Sequence, residues 1–535
     1  MSHVVGTIRC VGSSSNSLSS RLNHTSFGKF ITLEKYLIEL LKIVLTNVLE
    51  PKYLDGVTKL TYVEGFDGDY VKLEDLLQKD HLKNAFLCAL TVDLEWLLKK
   101  LPQNILIVIA KHWNSAQEAG CGNFAIYGVS KECKFEGVYI LPDTNILLVH
   151  PPLPNATFGC FHAKLMLLFF DGWLRVVVAS GNLISYDWEV NENVVFVQDF
   201  PSRQATDSND DNLHPFAQDI KDFVLAMGLK NHIVNKLSQY DFSRAKAKLV
   251  ASIPGVYKGT EDIRRYGHRR LCKVIKDVCG PNENIILECQ TSTLGGLTAD
   301  FLHEFYRSAS GIDTIEISKS RTKKNQEVER PLPPITMVYP SNRTVLSSKD
   351  PKAAGAALFF GKRNYDKDTF PREVIRNCVS KRDGILIHSK FVLARYTQQE
   401  HPKNPQKRQK TNKLISDVIR DSSDDKVEFT LKSDISKETS IKSSTTINDR
   451  DIDLIRGWYY CGSHNFTSSA WGKISASRDT KEPQLRINNW ELGVFFPIRG
   501  SENDQGDWFT ENGVPVPYQR PPRCYDLNDV PWWFG

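Results

Sequence analysis

A histidine, a lysine and an asparagine occur in the same order at two places in the chain. At the first place, His162 and Lys164 precede one apolar run, and Asn182 follows the next one. Because residues two apart in an extended chain point to the same face, the imidazole and the ammonium lie on one side of the strand. An imidazole, an ammonium and an amide that converge at a strand end could bind and attack a phosphate.

The apolar runs around these residues predict a β-hairpin. Leu165–Phe170 and Leu174–Ala179 have the composition of buried strands. The Asp171-Gly172 pair between them is typical of a type I′ turn. A polar site is therefore expected at one end of two well-buried strands.

The register of this hairpin decides where the polar residues lie. A two-residue turn places Lys164 opposite Ala179 and Phe161 opposite Asn182. The side chains of His162, Lys164 and Asn182 therefore gather at the open end of the hairpin, away from the turn.

A second copy of the pattern lies in the C-terminal half. His388 and Lys390 precede the apolar run Phe391–Ala394, and the later run Trp458–Cys461 leads to Asn465. A long polar tract separates the two runs of this copy. If the tract is inserted at the tip of a hairpin, it leaves the open end and its polar residues undisturbed.

A further strand follows each asparagine, with a polar residue directly ahead of it. Asn193 precedes Val194–Val197, and Glu491 precedes Leu492–Phe496. A single HxK sequence occurs by chance in many proteins, and a lone histidine on an apolar strand is more often structural than catalytic. Two complete three-part units in matching strand contexts are specific, and they predict one shared site. Three histidines outside the motif are interpreted as structural, namely His112, His150 and His464.

The repeat resembles the phospholipase D superfamily, whose members bring two HxK motifs together in one active site. In most of that superfamily an aspartate follows the lysine by five positions, but Phe169 and Arg395 occupy those positions here. An HxK motif with a downstream asparagine and no aspartate is the pattern of the tyrosyl-DNA phosphodiesterase family. The resemblance covers about residues 30 to 535. Further segments similar to that family are Val177–Asp187, Pro340-Ser341, Ser468–Gly472 and Trp490–Gly493.

The resemblance implies a fold and a set of roles. The fold is α/β, with two similar α-β-α sandwich domains of phospholipase D type, a pseudo-twofold axis between them and one active site at their interface. His162 would be the nucleophile that forms a phosphohistidine. His388 would protonate the departing tyrosine phenol and then act as base for water. The residues that would hold the phosphate oxygens are Lys164, Lys390, Asn182 and Asn465. Glu491 and Asn193 would orient the imidazoles, although the family places a longer glutamine at the position of Asn193.

A loop after the predicted strand Ile285–Cys289 carries hydroxyl groups and glycines, which can present hydrogen-bond donors to a phosphate. By its residue types alone, this loop fits better as an ordinary strand-to-helix connection. The resemblance instead implies contact with the DNA backbone. The residues implied in that contact are Ser292, Thr293, Leu294, Gly295, Gly296 and Thr467.

The composition limits the classes of protein that fit. With 535 residues, of which 41% are apolar, the chain is long enough for two domains with large cores. The net charge of +5 does not by itself imply a nucleic-acid partner. Eleven cysteines without a CxxC pair favour a reducing compartment and argue against structural zinc. We expect no membrane contact, because the sequence has neither a long apolar run nor a signal of secretory type.

The order of patterns along the chain predicts the domain organisation. We expect a disordered tail at residues 1–28, an N-terminal domain at 29–245 and a C-terminal domain at 246–535, with a polar insertion at about 397–450. Helices are predicted at Thr32–Leu49 and Asp93–Leu98, and a buried parallel strand at Ile105–Ala110. The aromatic C-terminus, Val530–Phe534, is expected to dock on the second domain.

The resemblance implies a nuclear, monomeric DNA-repair hydrolase. Its substrate would be single- or double-stranded DNA whose 3′ end carries a topoisomerase I-derived tyrosyl peptide or another blocking adduct, and its product a 3′-phosphate. We expect no metal or other cofactor, because no carboxylate cluster accompanies the motifs. Pro405–Lys410 resembles a nuclear-import signal, although such a cluster is more often a solvated loop. A second basic run, Lys319–Lys324, is equally compatible with a linker and with a DNA-facing loop.

Two other classes of protein share some of these features. A phospholipase D or a nuclease of the same superfamily would have both HxK motifs, but the missing aspartates and the lack of a lipid-binding module argue against it. A DNA-end binding protein with an inactive site is disfavoured by the two complete HxK pairs. The sequence leaves open whether 5′-tyrosyl ends are also processed.

Overall fold

The structure, a computed structural model, describes residues 49–113, 137–141, 144–154, 159–203, 213–229, 234–315, 331–397, 454–500 and 507–533. The chain divides into two compact units, Met1–Glu50 and Pro51–Gly535, and the elements below all belong to the second. Several predicted features lie almost entirely outside the described residues. These are the tail at 1–28, the helix at Thr32–Leu49, the basic runs Lys319–Lys324 and Pro405–Lys410, and the insertion at about 397–450.

The first half of the second unit forms an eight-stranded mixed sheet in the order β1-β8-β7-β6-β2-β3-β5-β4. Strands β2, β3 and β5 are parallel to one another, and the other pairs are antiparallel. The strands are β1 Val57–Leu60, β2 Asn84–Ala89, β3 Leu106–Lys111, β4 Gly137–Ile140, β5 Ile146–His150, β6 Leu165–Phe170, β7 Trp173–Ala179 and β8 Val194–Pro201. The predicted parallel strand at Ile105–Ala110 is thereby confirmed as β3.

The second half forms a seven-stranded sheet in the order β15-β13-β11-β16-β17-β20-β9. Its strands are β9 Lys248–Ser252, β11 Ile285–Gln290, β13 Ile335–Tyr339, β15 Ile375–Asn377, β16 Phe391–Tyr396, β17 Ile455–Gly462 and β20 Glu491–Arg499. Two small sheets accompany it, of order β10-β19-β18 and β12-β14. Their strands are β10 Gly255–Lys258, β12 Thr293–Leu294, β14 Phe359–Phe360, β18 Lys473–Ala476 and β19 Pro483–Ile487.

The two large sheets have the same topology. Read from β1, the first runs β1-β8-β7-β6-β2-β3-β5, and the second, read from β9, runs β9-β20-β17-β16-β11-β13-β15. In both of these orders the first four pairings are antiparallel and the last two are parallel. The internal repeat predicted from the HxK motifs therefore extends over seven strands of each sheet, and β4 is an additional edge strand of the first.

Short helices cover the sheets in both halves. In the first half and the connection they are α1 Leu73–Leu77, α2 Leu94–Lys99, α3 Ser185–Glu189 and α4 Pro215–Ala226. In the second half they are α5 Thr260–Ile263, α6 Gly267–Val278, α7 Ala299–Ala309, α8 Asn342–Leu346, α9 Pro351–Ala356, α10 Lys362–Tyr365, α11 Ser468–Trp471 and α12 Trp508–Glu511. Asp93 caps α2 by accepting a hydrogen bond from the Trp96 backbone at 3.0 Å, which confirms the predicted capped helix.

The first hairpin differs from its prediction in two details. Gly172 has a φ of 81°, but Asp171 is not among the residues with positive φ, so the turn is not type I′. Only glycine adopts that region without steric cost, which explains why the single positive φ falls on it. The predicted pairing of Phe161 with Asn182 is also wrong, because Phe161 forms a bridge with Trp490 of the other half.

One core joins the two halves of the second unit. It contains buried residues of both large sheets, and Phe196 of β8 lies 5.5 Å from Phe496 of β20 between ring centroids. The C-terminus docks on the second half, as predicted. Trp532 donates a hydrogen bond to the Gly355 carbonyl, and Trp533 packs 5.4 Å from the Phe360 ring. Phe534 lies outside the described residues.

Candidate active site

A short parallel bridge fixes the first histidine against the second half. Phe161 pairs with Trp490, and the His162 backbone donates a hydrogen bond to the Trp490 carbonyl at 3.0 Å. Because Glu491 follows Trp490 and opens β20, this bridge sets the imidazole of one half beside a carboxylate of the other.

An equivalent bridge fixes the second histidine against the first half. Ile387 pairs with Glu192, and the His388 backbone donates to the Glu192 carbonyl at 2.8 Å. Asn193 follows Glu192 and precedes β8, so it reaches the imidazole of His388 as Glu491 reaches that of His162. The two bridges place both HxK motifs at one interface.

The imidazole of His162 contacts a buried carboxylate. Its Nδ1 lies 2.8 Å from Oε2 of Glu491, and the same oxygen accepts a hydrogen bond from Ser463 Oγ at 2.5 Å. The other carboxylate oxygen, Oε1, accepts from Asn489 Nδ2 at 3.1 Å. A carboxylate can only accept, so His162 carries its proton on Nδ1. Its Nε2 is then left with a lone pair, which is the condition for attack on phosphorus.

The imidazole of His388 contacts an amide instead. Its Nδ1 lies 3.2 Å from Oδ1 of Asn193, which also accepts from Ser180 Oγ at 2.8 Å. The Nδ2 group of Asn193 donates to the Asp187 carbonyl at 2.8 Å, which fixes the orientation of the amide. His388 therefore donates from Nδ1, and its Nε2 is the position that can exchange a proton with a substrate.

The two lysines of the motifs lie in the interior beside the imidazoles. Lys164 Nζ donates to the His162 carbonyl at 2.6 Å, and Lys390 Nζ donates to the His388 carbonyl. Burial lowers the pKa of Lys164 to about 8, although Glu491 and other acids oppose that shift. Burial and the Lys164 charge hold the pKa of Lys390 well below its usual range. A bound phosphate would supply the negative charge that both ammonium groups lack.

The free site disfavours a positive charge on either imidazole. Burial, followed by the charges of Lys164 and Lys390, holds the pKa of His162 well below its usual range. The pKa of His388 is held low by burial and by the same two lysines. An arriving phosphodiester anion opposes the lysine charges and so makes protonation of one imidazole easier.

The two asparagines present their amides differently. Asn465 accepts three hydrogen bonds at Oδ1, from Thr291 Oγ1 at 3.1 Å, from Ser292 Oγ at 3.0 Å and from the Ser292 backbone at 3.2 Å. Its Nδ2 group is thereby aimed away from these donors and can donate to a substrate. Asn182 uses one Nδ2 hydrogen for Asp187 Oδ2 at 2.8 Å and accepts at Oδ1 from the Thr91 backbone.

The loop implied in DNA contact is only partly at the surface. Ser292 and Leu294 are buried, because the Ser292 hydroxyl holds Asn465 and the Leu294 side chain lies in the core of the second half. Their side chains therefore do not face solvent. Thr293, Gly295, Gly296 and Thr467 are at least partly exposed, and a Cβ on Gly295 would lie 3.3 Å from Thr467.

Three residues of the site were missed at the level of sequence. Ser180 and Ser463 each donate to the polar residue that contacts a histidine, and each stands two positions before its asparagine. This repeated spacing is a signal that could have identified them. Asp187 binds Asn182, but Ala470 occupies the same offset from Asn465, so the repeat gives no signal for it.

The other histidines have structural surroundings. His464 lies between Ser252 Oγ, 2.9 Å from Nε2, and the Tyr460 hydroxyl, 2.5 Å from Nδ1. Burial lowers its pKa to about 3. Burial also lowers the pKa of His150 to about 4, and His112 accepts a hydrogen bond from the Phe161 backbone.

Two kinds of feature are absent from the residues that the structure describes. They contain no group of three or more His, Cys, Asp or Glu side chains that could hold a metal ion. Within the same residues, no helix has the length and apolar character needed to cross a membrane.

The chain is similar to known proteins in sequence and in fold. The chain is 25% identical to tyrosyl-DNA phosphodiesterase 1 of Arabidopsis thaliana over 86% of this chain and 71% of the plant protein. It is 24% identical to tyrosyl-DNA phosphodiesterase 1 of Drosophila melanogaster over 72% of this chain and 58% of the fly protein. The crystal structure of yeast tyrosyl-DNA phosphodiesterase matches with a TM-score of 0.55 and 18% identity, over 90% of this chain and all of that one.

The yeast likeness shows the fold, which is the two-domain phospholipase D type expected from the motifs. The family model described as tyrosyl-DNA phosphodiesterase matches residues 57–526, which include both HxK motifs, both asparagines and Glu491. The chain therefore belongs to the tyrosyl-DNA phosphodiesterase family.

Proposed function

We propose that this protein hydrolyses the bond between a tyrosine and a DNA 3′-phosphate through a phosphohistidine on His162, and that it leaves a 3′-phosphate. The observation that carries the proposal is the difference between the two imidazoles. His162 contacts the Glu491 carboxylate at 2.8 Å, whereas His388 contacts the Asn193 amide at 3.2 Å. A carboxylate stabilises the positive charge that an attacking imidazole acquires, whereas an amide fixes a ring without holding a charge.

In the first step, Nε2 of His162 attacks phosphorus and the bond from phosphorus to the tyrosine oxygen breaks. His388, protonated on Nε2, gives its proton to that oxygen, so tyrosine leaves as a neutral phenol. The positive charge on the new phosphohistidine lies next to Glu491, whose carboxylate contacts Nδ1 of the same ring.

In the second step, His388 is neutral and takes a proton from water. The resulting hydroxide attacks phosphorus, the bond from phosphorus to Nε2 of His162 breaks, and the DNA keeps a 3′-phosphate. His388 ends protonated, as it must be for the next first step. His388 thus serves first as acid and then as base, and the proton that it takes from water replaces the one that it gave to the phenol.

The lysines and asparagines act on the non-bridging phosphate oxygens. Lys164 and Lys390 are both almost fully buried, and their charges act there without screening by bulk water. Asn465 has its oxygen saturated by three donors, which leaves Nδ2 for the substrate. We infer that Asn182, the symmetry-related amide, donates from the opposite side.

The DNA strand would leave the site along the exposed part of the loop after β11. We propose contacts from Thr293, Gly295, Gly296 and Thr467, with Ser292 and Leu294 holding the loop from inside. Single- and double-stranded ends, a topoisomerase I-derived peptide and other 3′ adducts fit this proposal. We further propose that the protein is nuclear and monomeric, with domains at 29–245 and 246–535.

Catalysis is expected to be independent of metal ions, because the lysines supply positive charge and the asparagine amides supply hydrogen-bond donors to the phosphate oxygens. Turnover of a 3′-phosphotyrosyl oligonucleotide in excess chelator should equal turnover in magnesium within about threefold. A loss of more than about tenfold on chelation, restored by a divalent ion, would contradict this mechanism.

The insertion at about 397–450 is expected to be dispensable for chemistry. Strands β16 and β17 flank it, and they pair antiparallel from Phe391 with Cys461 to Arg395 with Gly457. The insertion therefore joins the ends of the strands that lie away from His388 and Lys390. Replacement of the insertion by a short Gly-Ser turn should leave turnover of a small substrate within a few-fold of the full chain.

A folded deletion protein without activity would show that the second hairpin is aligned incorrectly. The circular dichroism spectrum and melting temperature of the deletion protein provide the control for folding. Loss of nuclear accumulation in cells, with activity retained, would assign the targeting signal to the insertion.

The substrate class is tested by one comparison. The protein is incubated in excess chelator with a 3′-phosphotyrosyl oligonucleotide, its 5′-phosphotyrosyl counterpart, phosphatidylcholine vesicles and supercoiled plasmid. We expect release of tyrosine and a 3′-phosphate end from the first substrate. Hydrolysis of the lipid or nicking of the plasmid at a higher rate would instead favour a phospholipase D or a nuclease.

A further inference from the structure

A buried aspartate reaches the second imidazole from the first half of the protein. Asp187 lies on helix α3 and is only 2% exposed. Its Oδ2 lies 3.7 Å from Nδ1 of His388. The same oxygen accepts hydrogen bonds from the Asn182 backbone at 2.6 Å and from Asn182 Nδ2 at 2.8 Å. One carboxylate oxygen is therefore shared between a phosphate-binding amide and the histidine that must be protonated.

The contacts of Asp187 fit a carboxylate better than a carboxylic acid. The groups around its two oxygens are N–H donors, since Asn191 Nδ2 approaches Oδ1 at 3.5 Å in addition to the two donors of Asn182. Burial raises the pKa of Asp187, but those donors and the charges of Lys390 and Lys164 oppose that rise. An ionised form is thus the one that the surroundings complement.

The charges that face His388 are unevenly distributed. Lys390 on its own segment, and Lys164 and His162 from the first half, all disfavour a positive charge on its ring. Asn193 is neutral and supplies only a hydrogen bond. Among the described groups around the ring, Asp187 is thus the carboxylate near enough to favour the imidazolium, because Glu491 is committed to His162.

Each half of the protein supplies a carboxylate that lies near the histidine of the other half. Glu491 of the second half contacts His162 of the first, and Asp187 of the first half approaches His388 of the second. The position equivalent to Asp187 in the second half is Ala470, so this carboxylate is not a remnant of the repeat. Each imidazole therefore has one carboxylate nearby, at 2.8 Å from His162 and at 3.7 Å from His388.

We propose that Asp187 is a positioning residue that stabilises the protonated form of His388. This inference rests on the proposed function, in which His388 protonates the departing phenol. The closer Asn193 amide orients the ring, and the more distant Asp187 carboxylate supplies the charge. The longer spacing also leaves His388 free to lose its proton and act as base in the second step.

The test compares two leaving groups on the full-length Asp187→Asn variant. The substrates are oligonucleotides ending in 3′-phosphotyrosine and in 3′-(4-nitrophenyl) phosphate. Nitrophenolate leaves without a proton, whereas the tyrosine phenol, with a pKa of about 10, benefits from an acid. We expect the single-turnover rate of leaving-group release to fall about 100-fold for the tyrosyl substrate but less than about threefold for the nitrophenyl substrate.

The same variant has an expected pH profile. Removal of the carboxylate disfavours the imidazolium, so the pKa of His388 falls and its protonated form is lost at a lower pH. The alkaline limb of kcat/KM for the tyrosyl substrate should therefore shift to lower pH. Asn191→Ala is the matched control, because it removes another contact of Asp187 without changing its charge, and it should leave both substrates within about threefold.

Two outcomes would overturn this inference and leave the proposed function intact. Equal losses on both substrates, with wild-type enzyme active on both, would mean that Asp187 only maintains the shape of the site. No loss on either substrate would mean that its charge is irrelevant. If the asparagine variant does not fold, Asp187→Glu provides a second test, because it keeps the negative charge. The glutamate variant should show the leaving-group dependence and the alkaline limb of the wild type. Loss of either property in a folded glutamate variant would contradict the inference.

Failure of the proposed function would look different. Wild-type enzyme inactive on both 3′-substituted oligonucleotides would overturn the proposed function and this inference with it. Activity of the wild type on both substrates, combined with either of the outcomes above, would remove only the role of Asp187.

Discussion

Replacement of His388 by asparagine is expected to trap a covalent complex between the protein and DNA. The tyrosine phenol has a pKa of about 10, which makes it a tolerable leaving group, so His162 can still attack slowly without an acid. Hydrolysis of the phosphohistidine has no such advantage, because water needs a base. We expect steady-state turnover to fall by at least about 100-fold and an adduct of low mobility to appear on a denaturing gel.

The matched control is His162→Asn. It removes the nucleophile from an equally buried position at the same interface, so both turnover and adduct should be absent. A double variant of His162 and His388 should resemble the His162 variant, since no adduct can form. An adduct in the His162 variant and none in the His388 variant would reverse the two roles.

Replacement of Glu491 by glutamine is expected to have the second largest effect. A glutamine can turn its N–H donor toward Nδ1 of His162, which would move the imidazole proton to Nε2 and remove the attacking lone pair. Loss of the equivalent carboxylate in serine-protease triads acts by the same change of tautomer. We expect the rate of adduct formation to fall by about 10²- to 10⁴-fold, measured in a His388→Asn background.

The control for Glu491 is its neighbour Ser463. Ser463 Oγ donates to the same carboxylate oxygen at 2.5 Å, and its replacement by alanine leaves the acceptor in place. That variant should retain adduct formation within about tenfold. A Glu491→Gln variant that forms adduct as fast as its parent would show that another group fixes the tautomer of His162.

Local patterns in the sequence were sufficient for much of the fold. The apolar runs beside each HxK motif correspond to strands β6, β7, β16 and β17, because a buried strand needs apolar residues on both faces. The capped helix at Asp93 follows from the same kind of local rule. These features depend only on residues close together in the chain, so a single sequence is enough to predict them.

Contacts between distant segments could not be predicted in this way. The bridge from Phe161 to Trp490 joins residues far apart in the chain, and no local rule places Phe161 there and not opposite Asn182. Ser292 is a second example. A serine hydroxyl at this position could bind a phosphate, but the structure shows that it donates to Asn465. Asp187 was missed because it lacks a partner in the repeat and acts through a helix that only the fold brings near His388.

The proposed mechanism makes His162 the residue that carries the DNA between the two steps. It is tested by trapping the adduct in the His388→Asn variant, digesting DNA and protein under neutral or alkaline conditions that preserve phosphohistidine, and locating the nucleotide by mass spectrometry. We expect a nucleotide attached through its 3′-phosphate to the peptide that contains His162, with fragmentation placing it on that imidazole. A nucleotide on any other residue would contradict this mechanism.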